Sequence, residues 1–150
     1  MASINKLAVL VAAIVHFFLG MFWYDPHLFG NRWLAAIGKT PEQAQQTPML
    51  MPIIASFIYY LLMAYVLAWV IVRTGAQNAK RGMAVAFVMW FAFVVTTSSI
   101  QYGFEGRPAV LYCINLGYTL VGMLLMGAIV GGWKRKAAAR VTRSEVRSTI

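Results

Sequence analysis

Four stretches of the chain contain no Asp, Glu, Lys or Arg: Leu7 to Tyr24, Met49 to Val72, Met83 to Tyr102 and Ala109 to Trp133. They are 18, 24, 20 and 25 residues long. A bilayer core takes about 20 mostly apolar residues in helical form. In lipid the backbone must satisfy its own hydrogen bonds, which a helix does within one segment. Each stretch is therefore read as a transmembrane span, the longer ones with some tilt. The expected fold class is all-α: an integral membrane four-helix bundle over residues 1–133, followed by a basic cytoplasmic tail over 134–150. Composition agrees, with 61% hydrophobic and 11% charged residues. A soluble domain has about 45–50% apolar and about 25% charged residues. So few charges cannot cover so much apolar surface in water. Disorder, a collagen-like fibre and nearly every soluble enzyme are excluded.

The first run ends in Phe22-Trp23-Tyr24-Asp25-Pro26. A cleaved signal would end in small residues. The aromatics instead match an interfacial belt, so the first run is read as a retained helix. With four spans, the N-terminus, the 73–82 loop and the tail share one side. They hold ten Lys and Arg against three elsewhere, namely Arg32, Lys39 and Arg107. The positive-inside rule then predicts N-in and C-in. The net charge of +9 is in this reading an address for one membrane face, and nucleic acid is not expected as a partner. Lys134, Arg135, Lys136 and Arg140 of the tail are assigned to anionic lipid headgroups, at about 1 kcal/mol per basic residue.

The link from Asp25 to Pro48 has internal order. Leu28, Phe29, Trp33, Leu34 and Ile37 fall near helical spacing, which predicts a short amphipathic helix at the interface, ended by Gly38. Thr40-Pro41-Glu42-Gln43 reads as a second helix start with a capping box, running towards the second span. Pro48 and Pro52 limit or kink it. Glu105 and Arg107, in a tight turn, are expected to pair with each other or with Arg32 and Asp25. The first and third spans share a pattern, a terminal Tyr followed by a Phe/Gly/Arg loop: Tyr24 to Arg32 and Tyr102 to Arg107.

Polar side chains enter every span. His16, Tyr59, Tyr60, Thr96, Thr97 and Asn115 all fall about 6–17 Å below one membrane boundary at the helical rise per residue. Two readings apply. Ser, Thr and Asn join helices in lipid, at about 0.6 kcal/mol per bond. Alternatively the set lines a small polar cavity in which His16 carries a proton or holds a ligand. Gly127 and Gly131 form GxxxG, a spacing that lets helices approach closely, within the bundle or across a dimer. Cys113 is the single cysteine and is expected to be a small buried hydrophobe. One intramembrane His, one Cys and a loop His27 do not make a metal ligand set. Neither a Ser-His-Asp spacing, a GxGxxG nor a phosphate loop occurs. No cofactor and no catalytic residue are expected.

Two motifs carry a resemblance. The first is Gly20-Met-Phe-Trp23-Tyr24-Asp-Pro26-His-Leu-Phe29-Gly30 with Trp33 after it. The second is Phe104-Glu105-Gly106-Arg107-Pro108, then Ile114-Asn115-Leu-Gly117-Tyr118 and Met126-Gly127-Ala128-Ile129. Together they resemble a bacterial family of small membrane proteins catalogued as domain of unknown function 1761, over roughly Leu7 to Trp133. The resemblance implies a four-helix inner-membrane protein and supplies no catalytic residues. It marks Trp23, Tyr24, Glu105, Arg107 and Asn115 as motif positions, beside Asp25 and Arg32 of the first loop. The expected function is a non-enzymatic accessory or structural component packing with partner helices, as a homo-oligomer or in a larger complex. The alternative is a small oligomeric transporter or channel-like protein with His16 and Asn115 on its path. A reporter fused after Ile150 is expected to be active only in its cytoplasmic form. Activity of a periplasmic reporter there would overturn the orientation.

Overall fold

The computed structural model describes residues 3–133. The first helix, α1 (Lys6–Trp23), starts where the Asn5 side chain accepts hydrogen bonds from the Leu7 and Ala8 amides at 3.1 and 3.3 Å. Two short helices follow, α2 (Gly30–Ala36) and α3 (Pro41–Gln45). A long helix, α4 (Leu50–Arg73), carries Pro52 in its first turn, where the missing amide costs nothing. Next come α5 (Ala79–Met89), a π-helical segment (Trp90–Val95) and α6 (Thr96–Glu105), which form one continuous rod. The last helix is α7 (Ala109–Gly132). The four rods, α1, α4, α5 to α6, and α7, are each long and apolar enough to cross a membrane.

The capping box at Thr40 is complete: its hydroxyl accepts from the Gln43 amide, and the Gln43 side chain accepts from the Thr40 amide. The Thr40 hydroxyl also holds the Glu42 carboxyl below its usual range. The helix heads towards the second span and is limited as Pro48 predicts. It stops at Gln45, because Pro48 forces Thr47 out of helical geometry. The Thr47 hydroxyl then folds back onto the Gln43 carbonyl at 3.1 Å. The amphipathic helix is α2, ended before Gly38 (φ 70). Leu28 and Phe29 precede it rather than lie in it.

The third rod is longer than its apolar run. Asn78 caps it by accepting from the Arg81 amide at 2.8 Å, so Lys80 and Arg81 lie inside the helix. At the other end it continues to Glu105 and stops at Gly106 (φ 62). Charges mark the end of the apolar core, not the end of the helix. Hydrophobic spacing gives no sign of the π segment. The hydroxyls of Thr96 and Thr97, just beyond it, donate to the carbonyls of Ala92 and Phe93 within it. Those carbonyls thereby keep donors where the backbone register widens.

α7 is the hub: α1, α4, α5 and α2 all pack against it. Its closest neighbour is α5, and small residues set that closeness. A Cβ on Gly82 would land on the Gly127 carbonyl, and one on Gly127 would meet the Gly82 carbonyl. Gly131 likewise rests on the backbone of Asn78 and Gly82. The GxxxG pair thus packs inside the bundle. The core beside it holds Ala12, Ala13, Ala64, Leu67, Ala68, Ile71, Ala86, Trp90, Met123 and Met126. Cys113, expected to be buried, is exposed; it lies on an outward face of α7, which lipid rather than protein would cover.

Gly82→Leu is expected to destabilise the fold by about 1–3 kcal/mol or more, since overpacking there must push two backbones apart. A methyl group on Gly103 would have no neighbour within 4 Å, so Gly103→Ala should be neutral or stabilising by up to ~1 kcal/mol. Thermal unfolding in mild detergent, followed by circular dichroism, compares the two.

Candidate functional site

The inner face of α1 is built from Ala8, Val9, Ala12, Ala13 and His16, all buried. The small residues let α4 and α7 close over this face, and His16 becomes fully enclosed. Its imidazole lies flat on the ring of Tyr60 from α4, with centroids 4.4 Å apart and planes 10° from parallel. The ring of Tyr118 from α7 meets it edge-on at 5.0 Å. Gly122 of α7 completes the enclosure: any side chain there would overlap the imidazole. Tyr118, Gly122 and Asn115 recur at spacings of three to four residues along α7, so they share roughly one face.

The hydroxyl of Tyr118 donates to that of Tyr60 at 2.8 Å and lies 3.4 Å from the His16 carbonyl. Neither ring nitrogen of His16 has a hydrogen-bond partner. Leaving one buried polar group unsatisfied costs about 1–3 kcal/mol. An aromatic pair contributes about 0.5–1.5 kcal/mol, so stacking at best offsets part of this.

A second polar cluster lies nearer the end of the bundle that bears α2 and α3. Asn115 bridges two helices: its Oδ1 accepts from the Tyr24 hydroxyl at 2.9 Å, and its Nδ2 donates to the Tyr102 hydroxyl at 2.6 Å. The two span-ending tyrosines of the sequence thus converge on one amide. Ser99 and Tyr112 share a hydrogen bond of 2.7 Å, and the rings of Tyr102 and Tyr112 are 5.3 Å apart. Trp23 donates from Nε1 to the Ile114 carbonyl at 3.2 Å and stacks on Phe29 at 4.8 Å. Tyr24 meets both Trp33 and Tyr118 at 5.3 Å. Tyr118 is therefore the link between the two clusters.

The polar residues that the sequence places at one depth are not brought together as one cluster. His16 and Tyr60 come together. Asn115 joins Tyr24 and Tyr102 instead, with its amide committed on both sides. Tyr59 is 64% exposed and faces outward, because the residue next to an inward Tyr60 turns about 100° away. Thr96 and Thr97 spend their hydroxyls on their own helix. At the turn, Glu105 pairs with Arg107, and the Arg107 guanidinium sits 5.7 Å from the centre of the Tyr102 ring. Asp25 accepts from the His27 amide at 2.9 Å and serves the turn, while Arg32 is exposed and joins neither. Lys134, Arg135, Lys136 and Arg140 lie outside the described residues.

Sequence reasoning does not single out Tyr118, Tyr102, Tyr112, Trp90 or Thr119 as site residues, yet with Ser99, which continues the polar run of Thr96 and Thr97, they hold the network. Trp90 donates from Nε1 to the Thr119 hydroxyl at 3.0 Å. The helical spacing of Asn115, Tyr118 and Gly122 is a signal for Tyr118. Nothing local marks the pairing of Trp90 with Thr119. Among the described residues no group of three or more His, Cys, Asp or Glu could hold a metal ion.

Fold and site together define an all-α protein with four membrane-span-like helices and a polar, aromatic interior. The chain belongs to the family described as protein of unknown function (DUF1761), whose model matches residues 7–131. No curated protein and no solved structure matches it.

Asn115→Leu should remove two interhelical bonds and cost about 1 kcal/mol, at about 0.6 kcal/mol per bond. Tyr24→Phe added to Asn115→Leu should cost little more, since both act on one network. Denaturation midpoints of the two single variants and the double variant check this coupling; strict additivity would contradict it.

Proposed function

We propose that this protein is a non-enzymatic component of a bacterial inner membrane, N-in and C-in, which packs its helices against those of a partner membrane protein. One observation carries the reading: beyond the contact of α5 with α7, the third rod is left largely uncovered by its own chain. Its apolar window is 11% buried, against 33% for α7. α6 has no buried residue at all. It is tied to α7 through Ser99, Tyr102 and Tyr112, side chains that reach across a gap. Large aromatics, Phe87, Phe91, Phe93 and Phe104, are exposed along the same rod. Where the hydrophobic driving force between helices is weak, association rests on van der Waals packing and interhelical hydrogen bonds, and an uncovered helix face leaves room for such packing. The basic tail would add contact with anionic headgroups.

A photo-crosslinking residue placed at Phe93 in native membranes is expected to capture a protein of defined mass. The same probe at Tyr59, on the outward face of α4, serves as the comparison. Capture of lipid alone at Phe93, with the protein running as a lone monomer after mild extraction, would overturn the proposal.

A second reading is favoured by His16. An ionisable residue held inside a membrane bundle is a mark of a transport path, and a small oligomeric transporter would use it. Against this, Tyr118 separates His16 from Asn115, and both nitrogen and oxygen of the Asn115 amide are already engaged. Loss of a transported flux in a folded His16→Ala variant would favour this reading over the first.

A further inference from the structure

We propose that His16, Tyr60 and Tyr118 form a binding site for a small neutral hydroxylic ligand, a water molecule lodged inside the helix bundle. The proposal goes beyond the partner-helix reading and does not depend on it.

The imidazole of His16 is fully enclosed and both its nitrogens are unpartnered. A neutral imidazole carries one donor and one acceptor nitrogen. Tyr60 covers one face of the ring, and Gly122 lies against the ring so closely that no side chain fits. A partner must therefore approach in the plane of the ring, at its edge.

The neighbouring hydroxyls supply the complement. Tyr118 donates to Tyr60 at 2.8 Å. Tyr60 is the acceptor in that bond, so its own proton is available to a further acceptor. The site thus offers a phenol donor, an imidazole acceptor, an imidazole donor and phenol lone pairs. A molecule that both donates and accepts satisfies them together. Buried waters do this, typically with two to four polar partners, whereas apolar cavities stay dry.

The charge of the site selects the ligand further. The groups facing His16 are Tyr60 from α4 and Tyr118 from α7, with Tyr24 of the α1 end reached through Tyr118. No carboxylate, lysine or arginine occurs in α1 beyond Lys6, in α4 before Arg73, or in α7. A cation would find no counter-charge and an anion no donor of full charge. Metal binding would need further ligands, which the described residues do not group together. A small neutral hydroxylic molecule is what remains. Such a ligand gives the enclosed imidazole a partner for proton exchange.

The test uses the full chain carrying isotope-labelled histidine, in lipid bilayers. The chain has two histidines, so His27→Gln leaves the His16 signal alone. Solid-state NMR then reads polarisation transfer from water protons to the ring nitrogens, with a gadolinium chelate in the bulk phase to mark surface groups. The expected result is transfer to His16 that the chelate does not quench. Tyr60→Phe should abolish it, and Tyr59→Phe should leave it unchanged. Absence of transfer in the parent protein, transfer that survives Tyr60→Phe, or transfer quenched by the chelate would each overturn the proposal.

Discussion

The contact between the backbones of α5 and α7 is the constraint from which the rest follows. Gly82 faces Gly127, and Gly131 faces Asn78 and Gly82, so two helices meet main chain to main chain. In lipid, where apolar side chains gain little by leaving hydrocarbon, such close approach is a principal source of attraction. It seats α5 firmly on α7. α1 and α4 then lean on the remaining faces of the same helix, through alanines at 12, 13, 64 and 68. One end of the bundle is closed by small residues. The other is joined by long aromatic and polar side chains.

That division sorts the polar groups. Near α2 and α3 they are matched: Tyr24, Asn115 and Tyr102 share two bonds, and the hydroxyls of Thr96, Thr97 and Ser99 return to their own backbone. Deeper in, His16 is held by ring contacts alone. A bundle selected only for stability would place an apolar ring there, since that removes a buried polar demand without loss of stacking. The ring nitrogens of His16, without a protein partner, and the matched groups elsewhere set this residue apart from the structural polar groups around it.

The fold is largely legible in the sequence because charge-free runs of this length have few other uses. The capping box at Thr40 is legible for a different reason: its chemistry is local, and both partners lie within three residues. Helix ends shift where a cap outside the apolar run, such as Asn78, decides them. The candidate site is only half legible. Depth below a membrane boundary places His16, Tyr60 and Asn115 at similar levels, but depth does not give azimuth. Tyr59 and Tyr60 are adjacent in sequence and face opposite environments. Tyr118 stands in the second motif but not among the expected site residues, because its role depends on Tyr60, 58 residues away.

The π segment at Trp90–Val95 has a consequence for the changes that this chain can accept. A π turn holds one residue more than the helix it interrupts, so everything beyond it is rotated by about 100° relative to an uninterrupted helix. Ser99 and Tyr102 meet Tyr112 and Asn115 only in that rotated phase. The third rod therefore behaves as two helices in one, with independent phases on either side of Trp90–Val95. Gain or loss of a single residue within the segment would leave the glycine contact intact and redirect every side chain of α6 together.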